Sequence, residues 1–352
     1  MSLLDIENLQ IRYEMEDGPD VQAVDEVSFS IDRGETFGLV GESGCGKTTL
    51  GKGIIKLLDQ NGYVHDGQIL FKDRDLGDFS DSEIRDVRWA EISTVPQASM
   101  SGLNPVYKVG DQIAEAILHH EPATTEEAAH ERARSLLERV GVEADRADDY
   151  AHEFSGGMKQ RAMIAMALSC SPDLIIADEP TTALDVIVQD QVLDELEQLQ
   201  EETGVCFLVI SHDISVIAET CDRVGVMYGG KLMEVGETEA VFDTPANPYT
   251  MGLKNSFPNI EEAADSLVSI PGTPPTLQDP PTGCRFRERC PFATAECETE
   301  HPPMYTVASG GTRTAPASGR HLSACYHLDR VDELRREAAD ESTWVEGREV
   351  EP

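Results

Sequence analysis

The chain has 352 residues, and its 66 acidic and 28 basic residues give a formal net charge of −38 at pH 7. This charge excludes a nucleic-acid binder, and the 40% hydrophobic content argues against a disordered acidic chain. The acidic residues are spread along the chain, which predicts a surface kept hydrated in concentrated salt and therefore a salt-loving source. No apolar run reaches the ~18 residues of a membrane-spanning helix, and the first residues lack a secretory signal, so we expect a cytosolic or membrane-peripheral chain.

The N-terminal part has the pattern of strands followed by a phosphate-binding loop. Residues 3–13 and 22–31 alternate between apolar and polar side chains, as half-buried strands do. The apolar run 36–40 precedes Gly41-Glu42-Ser43-Gly44-Cys45-Gly46-Lys47-Thr48, and residues 49–58 then have helical spacing. A strand, a glycine-rich loop and a helix in this order can wrap a di- or triphosphate, so we name residues 41–48 the phosphate loop.

Three side chains of this part have predicted contacts with a nucleotide. Lys47 is expected to bridge the β- and γ-phosphates, and the Thr48 hydroxyl is expected to ligate Mg²⁺. Tyr13, at the end of the first strand, either stacks on an adenine ring or is a partly buried strand tyrosine, and the residues leave both interpretations open.

The chain up to about residue 255 is predicted to form a doubly wound α/β domain. Two continuous apolar runs indicate parallel strands buried on both faces and joined by a crossover helix, and a mostly helical insert precedes them. The predicted elements are strands at 68–71, 92–96, 174–177 and 205–210, a turn-rich segment at 59–67, and helices at 109–120, 125–140, 158–169 and 186–201, with Thr124 or Thr125 capping the helix at 125–140.

The composition changes near residue 256. Residues 257–283 are rich in proline and glycine, four cysteines follow within 284–325, and the acidic stretch 328–352 is predicted to be a weakly helical, solvated tail. The predicted parts are a domain at 1–255, a small irregular cysteine-containing domain at 256–330, and a tail at 331–352.

Two later motifs indicate what happens to a bound nucleotide. Asp178 and Glu179 end a buried strand, so Asp178 is placed to hold Mg²⁺ and Glu179 to polarise the water that attacks the γ-phosphate, unless the two merely begin a turn. Ser155, Gly156 and Gly157 precede a helix and form a second anion-binding site, unless Ser155 is only a helix cap. Because one nucleotide has only one γ-phosphate, a second anion-binding site indicates that another subunit supplies the nucleotide bound there.

In this order the motifs resemble those of the ATPase subunits of ATP-binding cassette (ABC) transporters. The matching positions are Gly41–Thr48, Gln97, Ser155–Met158, Asp178–Glu179, Asp185 and His212. The resemblance implies an α/β fold, namely a P-loop ABC-type nucleotide-binding domain with a RecA-like core and a helical subdomain at about residues 98–170. It also implies that Gln97 and the insert behind it contact a membrane subunit, and that His212 senses the γ-phosphate.

The resemblance further implies a full set of site residues. The implied catalytic residues are Glu179, His212, Lys47 and Gln97, and the implied Mg²⁺ ligands are Thr48, Gln97 and Asp178. The implied nucleotide-binding residues are Tyr13, Gly41, Ser43, Gly44, Cys45, Gly46, Lys47, Thr48, Thr49, Gln97, Asp178 and Asp185, with Ser155, Gly156 and Gly157 closing over the nucleotide of a partner subunit.

Further stretches resemble the dipeptide/oligopeptide importer branch of this family. They are Leu103-Asn104-Pro105, Ala177–Val186, Pro248-Tyr249-Thr250 and the cysteine-containing tail, so the resemblance covers about residues 3–328. The departures from the family pattern remove no catalytic group; they are Cys45, Thr48, Asn247 and, relative to the wider family, Met158.

The branch implies an ATP-hydrolysing subunit that couples hydrolysis to the uptake of dipeptides or oligopeptides across the cell membrane. The implied partners are a second ATPase subunit (a paralogue or a second copy), two transmembrane permease subunits and, indirectly, an extracellular substrate-binding protein, with no nucleic acid. Peripheral association with the cytoplasmic side of the membrane is expected. The alternatives are the same role in a nickel or sugar importer, a soluble cassette ATPase acting in DNA repair or translation, and a non-catalytic regulatory subunit.

Four cysteines form a second candidate site. The spacing of Cys284, Cys290, Cys297 and Cys325 differs from the paired C-x2-C of a typical zinc module, and four thiolates suit either zinc or a [4Fe–4S] cluster. The resemblance to the peptide-importer tail favours the [4Fe–4S] cluster, with zinc as the second choice. The intervening arginines, Arg285, Arg287 and Arg289, either offset the thiolates or are solvated, and the other cysteines, Cys45, Cys170, Cys206 and Cys221, are expected to be small buried residues.

Overall fold

The computed structural model describes residues 2–97, 102–182, 184–256, 270–307 and 321–344. The strands within these residues are β1 Ser2–Tyr13, β2 Val21–Asp32, β3 Thr36–Val40, β4 Gly62–Phe71, β5 Arg74–Asp75, β6 Ile92–Val95, β7 Leu174–Asp178, β8 Cys206–Ser211, β9 Arg223–Tyr228, β10 Lys231–Glu237, β11 Tyr305–Thr306 and β12 Leu322–Ser323. The α-helices are α1 Lys47–Ile54, α2 Asp81–Val87, α3 Val109–His120, α4 Glu126–Arg139, α5 Gly156–Ala167, α6 Val186–Thr203, α7 Ile214–Thr220, α8 Thr238–Asp243, α9 Pro248–Asn255 and α10 Val331–Ala338.

The chain divides into two compact units. Unit 1 comprises Met1–Leu4, Ile31–Phe37 and Phe71–Ser211, and unit 2 comprises Asp5–Ser30, Gly38–Leu70 and His212–Pro352. Among the described residues, no helix is both long and apolar enough to cross a bilayer.

Unit 1 contains the predicted parallel strands. β7 lies between β6 and β8, with Val95 opposite Ala177 and Ala177 opposite Val209. Residues 174–177 are almost completely buried, as continuous apolar runs in parallel sheets require. Because the three strands run the same way, the residues that follow β6 and β7 emerge at one edge of the sheet.

The predicted helical insert is also present in unit 1. Helices α3 and α4 pack against each other, and Ile113 and Ile117 of α3 and Leu137 of α4 are fully buried. Thr125 caps α4, since its hydroxyl accepts a hydrogen bond from the Ala128 N–H. The spacing-based prediction of both helices is confirmed to within one residue.

In unit 2, β1 lies between β2 and β4. Strand β4 begins at Gly62, so most of the stretch predicted as turn-rich is extended. The first half of this strand is largely exposed, and polar, turn-type residues are therefore tolerated within it.

Unit 2 also contains strands that the sequence analysis missed. Strands β9 and β10 form an antiparallel hairpin through Gly229 and Gly230, both of which have positive φ. Strand β12 continues this sheet, with Ser323 opposite Glu234, and β11 pairs with β12. Residues from the cysteine-containing part therefore complete the antiparallel sheet of unit 2.

The predicted solvated tail is wrong for its first half. Leu334 and Ala338 of α10 are 1% exposed and Trp344 is 4% exposed, because α10 packs against α9. Arg335 secures the helix by donating hydrogen bonds to the carbonyl oxygens of Thr244 and Pro245. Residues 345–352 of the predicted tail lie outside the described residues, and the domain boundaries at 255 and 330 stay predictions.

Candidate functional site

The phosphate loop lies in unit 2 between β3 and α1. Gly46 has φ +106°, and a Cβ there would collide with the carbonyl oxygen of Ala23. A Cβ on Gly41 would collide with the carbonyl oxygen of Met227. Both positions therefore accept only glycine, and the loop backbone is available to face a phosphate.

The side chain of Lys47 is folded onto this loop. Its Nζ donates to the carbonyl oxygens of Gly41, at 2.6 Å, and Glu42, at 3.2 Å, and only 7% of Lys47 is exposed. Cys45 is buried beside it, and burial raises the pKa of the Cys45 thiol. A buried ammonium that has carbonyl and thiol contacts, next to the start of a helix, fits a polyphosphate anion.

Tyr13 lies near the helix that follows the loop. Its hydroxyl is 3.3 Å from Oγ1 of Thr49, and its ring is partly exposed. Ser43 and Gly44 form the exposed tip of the loop, and Thr48 is partly exposed. The structure thus brings together the predicted nucleotide-binding residues of unit 2, while their individual roles stay predictions.

In unit 1, three predicted site residues lie at one edge of the parallel sheet. Gln97 follows β6, Asp178 is the last residue of β7, and Glu179 comes directly after it. Gln97 is exposed, Asp178 is partly exposed, and Glu179 is 8% exposed. Their amide and carboxylate oxygens are ligand types that suit Mg²⁺ and an attacking water.

Glu179 is held in an uncommon conformation. Its φ is +54°, which is unfavourable for a residue that is not glycine. Its N–H donates to the Ile210 carbonyl at 2.8 Å, and its Oε2 accepts a hydrogen bond from the Thr182 hydroxyl at 3.0 Å. The backbone and the side chain are therefore both fixed by neighbouring residues of unit 1.

The residues of the predicted second anion-binding site lie at the start of α5, and the role of this site stays a prediction. The Ser155 hydroxyl accepts a hydrogen bond from the Met158 N–H at 3.3 Å, so Ser155 caps the helix. A Cβ on Gly157 would press on Val188 of α6, the helix that Asp185 caps in the same way. Both caps are exposed, so unit 1 presents Ser155 and Asp185 on its surface.

His212 directly follows β8 and is the first residue of the last segment of unit 2. Its side chain is exposed, two residues before α7 begins. The position directly after a buried strand agrees with the sequence prediction, and its role as a γ-phosphate sensor stays a prediction.

The four cysteines of the C-terminal part lie close together in unit 2, as the prediction of a shared site at these residues requires. Cys284, Cys290, Cys297 and Cys325 line one cavity of about 20 Å³, which we name the thiol pocket. This volume has room for about one water molecule. Cys297 also lies 3.8 Å from the Nε2 of His327.

The prediction of a [4Fe–4S] cluster at these cysteines is wrong. The described part of the chain, which includes all four thiols, holds no group of His, Cys, Asp or Glu side chains arranged to bind a metal ion. Burial raises the pKa of Cys284 to about 11 and of Cys325 to about 12, and it raises that of Cys290 well above its usual value. Cys284, Cys290 and Cys325 therefore favour the neutral thiol over the thiolate that iron or zinc requires. Cys297 differs, because burial raises its pKa but hydrogen bonds with His327 and Thr294 outweigh burial and lower it. The zinc alternative has no support either.

Two of the three intervening arginines also differ from both predicted roles. Arg285 is 4% exposed and its guanidinium lies 2.6 Å from the Asp25 carboxylate. Arg289 is 9% exposed and pairs with Glu42 of the phosphate loop at 2.6 Å. They neither offset thiolates nor extend into solvent. The Arg289–Glu42 pair joins residues 247 positions apart, so no local pattern could have indicated it.

Comparisons with known proteins identify the family of this chain. Residues 24–182 match the ABC transporter family model, and residues 233–297 match the model described as the oligopeptide/dipeptide transporter C-terminal region. The chain is 46% identical to the dipeptide transport ATP-binding protein DppD of Bacillus subtilis over 85% of this chain and 90% of the relative. It is 41% identical to DppD of Escherichia coli over 88% of this chain and 95% of the relative.

Solved structures show the same fold. A dimeric ATP-binding cassette in a post-hydrolysis state, bound to ADP and Pi, superposes with a TM-score of 0.61 at 27% identity, over 67% of this chain and 98% of that one. The cbiO1 subunit of an ABC transporter complex from Clostridium perfringens superposes with a TM-score of 0.59 at 28% identity, over 69% and 91%. The predicted P-loop ABC fold is confirmed. The chain therefore belongs to the ATP-binding subunits of ABC transporters, in their dipeptide and oligopeptide importer branch.

Proposed function

We propose that this chain binds ATP at the phosphate loop and hydrolyses it with Glu179 as the group that activates the attacking water. Lys47 and the loop N–H groups would hold the β- and γ-phosphates. Oxygen atoms of Thr48, Gln97 and Asp178 would hold Mg²⁺, which offsets the negative charge of the phosphates when bound. The observation that carries the proposal is the buried carboxylate of Glu179, fixed by the Thr182 hydroxyl.

In the hydrolysis step, this chain would supply the group that accepts the proton of the attacking water. The Glu179 carboxylate would accept a proton from water as the oxygen attacks the γ-phosphorus, and ADP would leave. His212 would contact the γ-phosphate, and Tyr13 would stack on the adenine. Ser155–Gly157 and Asp185 would face the nucleotide of a second ATPase subunit.

The chain is the ATP-hydrolysing subunit of a peptide importer and works with permease subunits and a substrate-binding protein. We place it at the cytoplasmic face of the membrane. Closure of two ATPase subunits over ATP and their opening after hydrolysis would change the state of the permeases. Dipeptides and oligopeptides are the proposed cargo, since the relatives named above are dipeptide transport proteins.

The test of the hydrolytic step is Glu179→Gln, with Glu197→Gln as the matched control on the exposed face of α6. Glu179→Gln should lower kcat at least about 100-fold while ATP still binds, because only the proton acceptor is lost. Glu197→Gln should leave kcat unchanged. Near-normal turnover of Glu179→Gln would contradict the assigned role.

Uptake measurements test the cargo. Membrane vesicles with the assembled transporter should take up labelled dipeptides or longer peptides in an ATP-dependent way, and uptake should stop with Glu179→Gln. Uptake of nickel or a sugar instead would reassign the cargo and keep the ATPase role. Co-purification with nucleic acid in place of permease subunits would favour a soluble cassette ATPase.

The net charge of −38 supports a further proposal, that the protein works in concentrated salt. Raising KCl from about 0.1 M to about 1 M shortens the screening length from about 10 Å to about 3 Å and weakens repulsion among the carboxylates. The denaturation temperature and the ATPase rate should both rise over this range. A fall in both would contradict adaptation to salt.

A further inference from the structure

Arg289, in the cysteine-containing part, forms an ion pair with the phosphate loop. Arg289 donates from Nη1 to Oε2 of Glu42 at 2.6 Å and from Nη2 to Oε1 of Glu42 at 2.9 Å. Two parallel hydrogen bonds of this kind fix the plane of a carboxylate as well as its position. The side chains are 6% and 25% exposed, so solvent screens the pair only in part.

The guanidinium is itself held from several directions. Its Nε donates to the Pro271 carbonyl at 2.8 Å, its Nη2 donates to the Ile270 carbonyl at 3.3 Å, and its Nη1 lies 3.2 Å from the Tyr228 hydroxyl. The guanidinium also lies over the Tyr228 ring, 5.6 Å from its centroid. Arg289 therefore reaches Glu42 in one fixed orientation rather than as a flexible surface charge.

Glu42 connects this arginine to the group that would meet the phosphates. The Glu42 carbonyl accepts from Lys47 Nζ at 3.2 Å, and the Glu42 N–H donates to the Tyr249 hydroxyl at 3.0 Å. The Tyr249 ring contacts the ring of Tyr228, at 4.6 Å between centroids. Tyr249 and Arg289, which both hydrogen-bond to Glu42, therefore pack against the same tyrosine, Tyr228. A displacement of Glu42 would therefore move a contact of Lys47.

We infer that Arg289 is a positioning residue for ATP binding, which holds the first turn of the phosphate loop and neutralises its one carboxylate. Glu42 is the only acidic residue among positions 41–48 of the sequence, next to the place where a highly anionic polyphosphate would bind. An unpaired carboxylate there would repel the nucleotide, and the repulsion would be strong in a partly buried site. This inference rests on the proposed binding of ATP at the loop.

The experiment uses the full chain and measures the Kd of Mg-ADP and Mg-ATP, kcat, KM and the denaturation temperature. Arg289→Gln removes the charge and the paired hydrogen bonds. Arg335→Gln is the matched control, because Arg335 also donates two hydrogen bonds of 2.8 Å to backbone carbonyls in unit 2, those of Thr244 and Pro245, which lie outside the phosphate loop. Lys47→Ala reports separately on whether the loop binds nucleotide at all.

Arg289→Gln should raise the Kd of Mg-ADP and Mg-ATP about tenfold and change kcat by less than about threefold, since it acts on binding rather than on the water. In a Glu42→Gln background the same substitution should change Kd by less than about threefold, because the two residues act as one pair. Arg335→Gln should leave Kd unchanged. A merely structural arginine would lower the denaturation temperature and leave Kd and its dependence on Glu42 unaltered.

The outcomes separate the two claims. If Lys47→Ala weakens nucleotide binding and Arg289→Gln does not, the inference about Arg289 is overturned and the proposed ATP site stands. If Lys47→Ala binds nucleotide normally, the proposed site itself is overturned. If Arg289→Gln does not fold, Arg289→Lys replaces it in the test, because lysine keeps the charge but lacks the paired N–H donors of the guanidinium. Arg289→Lys should raise Kd about threefold when Glu42 is present and leave Kd unchanged in the Glu42→Gln background. Equal effects in both backgrounds would overturn the inference.

Discussion

The phosphate loop and the thiol pocket both belong to unit 2, but they differ in whether their buried polar side chains carry charge. In the loop, Lys47 donates to two backbone carbonyls and Glu42 pairs with Arg289. In the thiol pocket, burial raises the pKa of Cys284 and Cys325 further above neutral, so both thiols stay protonated well into alkaline pH. The phosphate loop therefore holds charged side chains in fixed positions, whereas burial in the thiol pocket disfavours the charged form of Cys284 and Cys325.

This difference shows what makes a binding site for an ion. Bringing several potential ligands together is not sufficient, since four thiols meet around a cavity of about 20 Å³ without forming a metal site. The loop instead combines a fixed ammonium, a helix start and backbone that accepts only glycine at two positions. A charged ligand is bound where the compensating charge and the hydrogen bonds are already placed.

The largest expected effect is on the loop. Lys47→Ala should lower kcat/KM for ATP at least about 100-fold, because a positioned charge facing the phosphates is lost. Lys52→Ala is the control on the same helix, since Lys52 lies in an exposed ion pair with Asp59 at 3.5 Å. Steady-state ATPase assays check both variants. If both variants lose activity equally, the loop has no special role.

The thiol pocket should respond in stability and not in activity. Cys325→Ser places a hydroxyl where a buried thiol was and should cost about 1–3 kcal/mol in the free energy of unfolding. Cys170→Ser, at a partly exposed cysteine, should cost less than about 0.5 kcal/mol. Urea unfolding and ATPase assays provide the measurements. Loss of turnover in Cys325→Ser without loss of stability would contradict this contrast between the loop and the pocket. Stoichiometric iron in the purified protein would contradict it as well.

The smallest effect is a change in stability at alkaline pH. The folded-state pKa values of Cys284 and Cys325, about 11 and about 12, lie above the ordinary value of 9.0, so the folded chain keeps protons that the unfolded chain releases. Stability should therefore fall as pH rises from about 9 to about 11. The Cys284→Ala/Cys325→Ala variant should show a shallower fall in urea unfolding. An identical slope in both proteins would mean that these thiols titrate normally.

The sequence predicted those features that depend on backbone geometry or on unbroken apolar runs. The phosphate loop, β7 and the helices α3 and α4 follow from patterns that have one main structural solution. The β9–β10 hairpin was missed although Gly229-Gly230 between two apolar stretches is a hairpin signal.

Features that depend on the environment of a side chain could not be predicted in the same way. Cysteine spacing gives the order of the thiols but not their burial, and burial decides whether they ionise. The Arg289–Glu42 pair spans most of the chain, so only the folded structure reveals it. The amphipathic pattern of α10 was available, but the acidic composition around it favoured a solvated tail, and the packing of Leu334 and Trp344 shows otherwise.

The most direct test of the account is whether one ATP is enclosed by two subunits. Ser155→Cys, an exposed position, would be assembled with a partner ATPase subunit that carries a cysteine at the position equivalent to Ser43, also exposed. The partner would also carry glutamine at the position equivalent to Glu179, because the partner's glutamate acts on the ATP of this pocket. A short bifunctional maleimide should cross-link the two with Mg-ATP and not with Mg-ADP, and mass spectrometry would identify the linked peptides. Equal cross-linking in both nucleotides, or none while ATP is bound, would contradict a shared pocket.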